Sequence, residues 1–234
     1  MGGGIMRKNT KSGQKHKHFK RILGITGKEL KDHAPFTIMG AFTGIVILIL
    51  IMASSALEEV HSVDETIFFI LHPTHIFLSA WVTTSLYLKY GKRDLWLVLV
   101  IGLTGSLGIA TLSDSVIPYL GEVLLQLPHA HTHIGFIEEP LITISPALIG
   151  IASGYFISTT KFPHLGHVLI STWASLFHVI MALGATVLWW QVGGIFIFLF
   201  LAVWLPCCVS DIVYPLLFIK KVEDIEDCII CAHS

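Results

Sequence analysis

Two histidines three residues apart, followed by a serine and a tryptophan, occur twice in this chain. Residues 72–81 read His72-Pro-Thr-His75-Ile-Phe-Leu-Ser79-Ala-Trp81, and residues 164–173 read His164-Leu-Gly-His167-Val-Leu-Ile-Ser171-Thr-Trp173, an offset of 92. A second phrase also recurs. Ser113-Asp114-Ser-Val116-Ile-Pro118-Tyr-Leu120 and Ser210-Asp211-Ile-Val213-Tyr-Pro215-Leu-Leu217 share the pattern S-D-x-V-x-P-x-L, at an offset of 97. Two imidazoles and a carboxylate are a competent ligand set for a divalent transition metal such as zinc, iron or manganese. The same groups suit a proton relay, and metal binding is itself linked to protons because imidazole must be neutral to ligate.

On a helix, offsets of 0, 3, 7 and 11 share one face. In the first copy those places hold His72, His75, Ser79 and Thr83. In the second they hold His164, His167, Ser171 and Ser175, and His178 continues the line. Each segment is thus a polar stripe on an apolar body, which avoids lipid by facing a bundle interior or a wet cavity. Asp114 and Asp211 are the acidic partners, and Ser113 and Ser210 beside them join the stripe hydroxyls as outer ligands or pathway groups. The competing role is structural, since a buried histidine often only fastens two helices. Recurrence at matched positions favours the metal reading, although a duplicated fastener would recur as well. His178 has no counterpart, because Leu86 occupies the matching place.

The elements that carry these residues are apolar. The chain has 234 residues, 53% hydrophobic and only 13% charged, against about 25% charged in soluble domains. That excludes a disordered chain and disfavours a soluble enzyme or a nucleic-acid binder. Six apolar segments, 36–57, 65–88, 94–117, 141–159, 164–190 and 193–219, have the length of a bilayer-crossing helix. The Lys and Arg residues cluster at 7–31, 89–93, 161 and 220–221. With six spans, all of them fall on one side, which by the positive-inside rule is the cytoplasm and holds both termini. The expected protein is therefore an all-α, multi-pass integral protein of a plasma (inner) membrane. A basic tail occupies 1–34, spans 1–3 occupy 35–127, an outer loop 128–140, spans 4–6 occupy 141–219, and a cytoplasmic tail 220–234.

The first spans repeat more loosely, with Gly40-Ala-Phe-Thr43-Gly44 beside Gly150-Ile-Ala-Ser153-Gly154. Three matches in the same order predict a duplication, and an odd number of spans per half predicts that the second half is inverted. Inverted repeats are a transporter architecture, with the site at the seam between halves. The outer loops hold no Lys or Arg but do hold Glu58, His61, Glu122, His129, His131, His133, Glu138 and Glu139, and His129, His131, His133, Glu138 and Glu139 form an expected capture surface for cations. In the tail, Cys228, Cys231 and His233 form a weaker soft-metal set, while Cys207 and Cys208 read as packing residues. The expected function is a transporter or channel for divalent transition-metal ions. Two other readings stay open: an intramembrane zinc-dependent lipid hydrolase, and a bis-histidine haem protein using His75 and His178. The expected partners are the lipid bilayer and metal ions, with homo-oligomers left open and nucleic acid excluded.

Overall fold

The computed structural model describes residues 5–91, 93–157, 161–208 and 213–218. Every element among them is helical: α1 (Ile5–Ala53), α2 (Leu57–His61), α3 (Asp64–Tyr90), α4 (Leu95–Thr111), a π-helical turn (Leu112–Val116), α5 (Ile117–Leu124), α6 (Gly135–Glu138), α7 (Pro140–Phe156), α8 (Lys161–Ala182), α9 (Trp189–Cys208) and α10 (Tyr214–Leu217). Four segments are long and apolar enough to cross a membrane: His33–Ala53, Asp64–Lys89, Leu95–Leu124 and Trp189–Cys207. Two more apolar helices, Pro140–Phe156 and Gly166–Ala182, are shorter. The protein is a helical one of membrane-embedded type.

The expected fifth segment, 164–190, ends earlier, because the chain leaves the helix after Ala182 and runs through Gly184. The carbonyl of Ala182 then accepts the His129 backbone N–H at 3.2 Å, so a helix end is satisfied by the neighbouring loop. The third segment instead continues past 117 to Leu124, through the π turn.

Burial is inverted relative to a water-soluble fold. Phe36, Met39, Phe42, Leu50, Ile149 and Phe156 point outward, whereas His72, His75, Asp114, Glu122, His167 and His178 are buried. Soluble monomers rarely expose such continuous apolar faces, and ionisable groups in a bilayer turn to the bundle interior.

α3 lies at the centre, packed on α4, α7 and α8, and α1 packs on α8 and α9. Glycines set the closest approaches. A Cβ on Gly150 of α7 would collide with the Phe77 carbonyl and sit 2.9 Å from Ala80 of α3, and one on Gly40 of α1 would sit 2.9 Å from Thr172 of α8. Likewise Gly154 lies against Trp81 and Thr84 of α3, while Gly44 is less tightly met, by Leu199 of α9 at 3.4 Å and Leu176 of α8 at 3.8 Å. The indole N–H of Trp81 donates to the Ile157 carbonyl, and that of Trp173 to the Thr43 hydroxyl.

Candidate metal centre

The π turn follows from Pro118. Proline has no N–H to return to the carbonyl four residues back, that of Asp114. One residue earlier the ladder has already widened, with the Ile117 N–H bonding to the Leu112 carbonyl. Widened turns of this kind often mark functional sites. Here the turn brings three consecutive residues, Ser113, Asp114 and Ser115, into the interior.

Asp114 is fully buried and accepts four hydrogen bonds. Its Oδ2 takes the Nδ1–H of His72 at 2.8 Å and of His75 at 2.7 Å. Its Oδ1 takes the hydroxyls of Ser113 at 2.7 Å and Ser171 at 2.8 Å. A buried carboxylate is tolerable only when its oxygens are satisfied in this way. The Ser175 hydroxyl, shared between the carbonyls of Ser113 and Ser171 at 2.9 and 2.8 Å, ties the π turn to α8.

With Nδ1 committed to Asp114, each imidazole presents Nε2 on its far side. The Nε2 of His75 lies 4.0 Å from Cys207 Sγ on α9. The ring of His75 stacks on that of His167 from α8, with centroids 5.2 Å apart and planes 16° from parallel. Donor atoms of His75, His167 and Cys207 all lie within 4.8 Å of one another, and all three residues are buried. Tetrahedral bonds of 2.0–2.1 Å to nitrogen and 2.3 Å to sulfur place donors about 3.5 Å apart. A contraction of about 1 Å would therefore close this set around an ion. It is the one gathering of three such donors among the described residues.

The structure thus brings His72, His75, Asp114, His167, Ser113, Ser171 and Ser175 together. Ser79 and Thr83 are buried along the same face of α3. His178 stands apart, donating from Nδ1 to Glu122 Oε1 at 2.7 Å. The outer histidines are split. His129 lines an open cavity of about 650 Å³ with His61 and Glu58, whereas His133 donates from Nδ1 to Glu138 at 3.1 Å. His131 lies beside His133, and Glu139 is exposed at the start of α7. The His164 side chain, Ser210, Asp211, Cys228, Cys231 and His233 lie outside the described residues.

Two participants escaped sequence reasoning. Sequence alone makes Cys207 a packing residue; its spacing of four from the predicted site residue Asp211 is the one usable signal in the sequence. Glu122 was assigned to an outer loop, yet α5 carries it inward two turns beyond Asp114 to meet His178.

Comparison with protein-family models, with curated proteins and with solved structures gives no match.

Proposed function

We propose that this protein carries a divalent transition-metal ion across a membrane through the centre formed by His75, His167 and Cys207. The observation that carries the proposal is that this donor set lies deep in the bundle and is drawn from three separate helices, α3, α8 and α9. In this reading Asp114 is a positioning residue. It fixes the tautomer and direction of both α3 imidazoles, as carboxylates behind metal-bound histidines do. Two imidazoles and a thiolate favour zinc or another borderline ion over manganese, magnesium or calcium, which prefer oxygen.

The six-span inverted repeat supports transport. His75 and His167 occupy matched places in the two copies of H-x-x-H, and their rings stack on each other. Matched residues meeting face to face is what a two-fold axis between halves produces. The glycine contacts are reciprocal in the same sense: Gly150 meets Ala80 as Gly40 meets Thr172, and Gly154 meets Thr84 as Gly44 meets Leu176. Val213 is π-helical like its match Val116. A seam of this kind is where alternating access is expected to act, with the basic segments and both termini on the cytoplasmic side.

One observation keeps the hydrolase reading in view. Three protein ligands leave a fourth position open, as catalytic zinc sites do. Reconstitution decides between the two. Zinc uptake by proteoliposomes should be carried by the wild type and fall at least tenfold in Cys207→Ser and His167→Ala. Lipid cleavage without zinc flux would establish the hydrolase instead, and flux unchanged in both variants would remove the centre from the mechanism.

A further inference from the structure

The loop that joins α5 to α7, with α6 inside it, lies over two buried histidines. The His133 backbone N–H donates to Nε2 of His178 at a long 3.3 Å. Two residues on, Gly135 covers His72: a Cβ there would sit 2.8 Å from Cδ2 and 3.0 Å from Nε2 of that ring. The Nε2 of His72 is buried with no hydrogen-bond partner. The loop is braced within itself, since Glu138 accepts the His133 Nδ1–H at 3.1 Å and the Ile134 N–H at 2.9 Å. Its hydrogen bonds to α8 are few. Besides the one to His178, the His129 N–H reaches the Ala182 carbonyl at 3.2 Å.

On its other side His178 meets Glu122. Like Asp114, Glu122 is fully buried. Asp114 has four donors, whereas Glu122 has the Nδ1–H of His178 at 2.7 Å and an Oε2 with no hydrogen-bond partner. A buried carboxylate so poorly served is costly. The tautomer of His178 follows from its partners: Nε2 accepts an N–H and is bare, so the ring is neutral with its proton on Nδ1. One further proton cancels the carboxylate charge. On Oε2 it would be a buried O–H without an acceptor. On Nε2 it makes an imidazolium paired by Glu122, and it sets a donor against the His133 N–H. The titratable groups facing His178 are Glu122 from α5 and His133 from the loop, with His131 and Glu138 touching His133 in turn. α3 presents the apolar ring of Phe68, and α1 and α9 pack apolar residues on the adjoining turns of α8. Glu58, His61 and His129 line the cavity beside Met181.

We propose that His178 and Glu122 form a proton-binding site that opens the loop: a proton on Nε2 of His178 expels the His133 N–H, the loop lifts from α8 and from His72, and the route to the seam is uncovered. Protonation of a histidine that holds an interface closed is a general way to release it. The sign is fixed by the hydrogen bond. With His178 neutral the loop is shut, and acid on the loop's side of the protein opens it. Phe68 is fully buried and stands between the rings of His178 and His72, edge-on to one and stacked on the other. It carries no proton, so the site exchanges protons with the loop side and gates entry rather than relaying protons inward. That the uncovered route serves a metal ion rests on the function proposed above; the opening itself does not.

Amide hydrogen exchange of the zinc-free full chain in detergent reads the opening directly. It is measured at about pH 7.5 and about pH 5.5, either side of the ordinary histidine value, and corrected for the pH dependence of chemical exchange. In the wild type the amides of residues 133–139 should lose about tenfold or more of their protection in acid, as expected for a lost hydrogen bond, while those of α3 and α8 keep theirs. His178→Gln preserves both bonds, its amide N–H donating to Glu122 and its carbonyl accepting from His133, but does not titrate. Its loop should stay protected at both pH values. Glu122→Gln removes the charge that pairs the imidazolium and should move the opening about one pH unit lower. Equal protection at the two pH values in the wild type overturns the proposal. So does an acid opening that persists in His178→Gln, which would assign it to His133 and Glu138. Should His178→Gln fail to fold, Glu122→Gln decides, and an opening at unchanged pH overturns the proposal. None of these outcomes touches the metal centre, because no zinc is present.

Discussion

Asp114 holds the most demanding position among the described residues, because four donors converge on one fully buried carboxylate. Asparagine at this place keeps the shape but supplies only one acceptor oxygen, and its amide N–H groups oppose the imidazole N–H groups they would face. The Asp114→Asn variant should bind zinc about 10–100-fold more weakly, the usual cost of losing an orienting carboxylate. Competition against a chelating dye measures this, and an unchanged affinity would show that the carboxylate does not act through the histidines. Much of this cluster is legible from spacing alone: His72, His75, His167, Ser171 and Ser175 fall on stripes whose periodicity requires a shared interior, and Asp114 stands out through its own recurring phrase. Cys207 was not legible, because a thiol in an apolar helix is ordinary packing until another helix brings an imidazole beside it. Glu122 was hidden by a boundary, since the helix that carries it inward runs seven residues past the segment read from hydropathy.

The helices are positioned chiefly by small residues. The contrast between Gly150 and Gly108 makes this testable. A side chain at Gly150 meets backbone, the Phe77 carbonyl, whereas one at Gly108 meets nothing within 4 Å. Gly150→Val should destabilise the α3–α7 pair by about 1–3 kcal/mol or more, the range for overpacking. Gly108→Ala should be neutral or slightly stabilising, since alanine is the better helix former. Thermal unfolding in detergent reads both, and equal midpoints for the two variants would mean that α7 is not seated on α3 as described. Gly40 and Gly44 of α1 and Gly150 and Gly154 of α7 share the spacing Gly-x-x-x-Gly, which brings membrane helices close together. It did not say which helix would be approached, because that depends on the three-dimensional arrangement of segments far apart in the chain.

At the scale of the whole molecule, an apolar exterior surrounds a polar interior, and the most polar part of that interior is the seam where α3, α8, α9 and the π turn converge. Composition was enough to foresee a helical protein of membrane type. It was not enough to fix span lengths, because breaks such as that after Ala182 depend on a carbonyl finding its partner in another loop. A plain helical bundle would fill this seam with leucine, as nothing in bilayer packing requires imidazole or thiol there. The account therefore stands on what the seam binds. Zinc-edge X-ray absorption of the purified protein loaded with one molar equivalent of zinc tests it most directly. The prediction is a shell containing one sulfur at about 2.3 Å and two imidazole nitrogens at about 2.0–2.1 Å, with the sulfur lost in Cys207→Ser. A shell of oxygen and nitrogen alone in the wild type would contradict it.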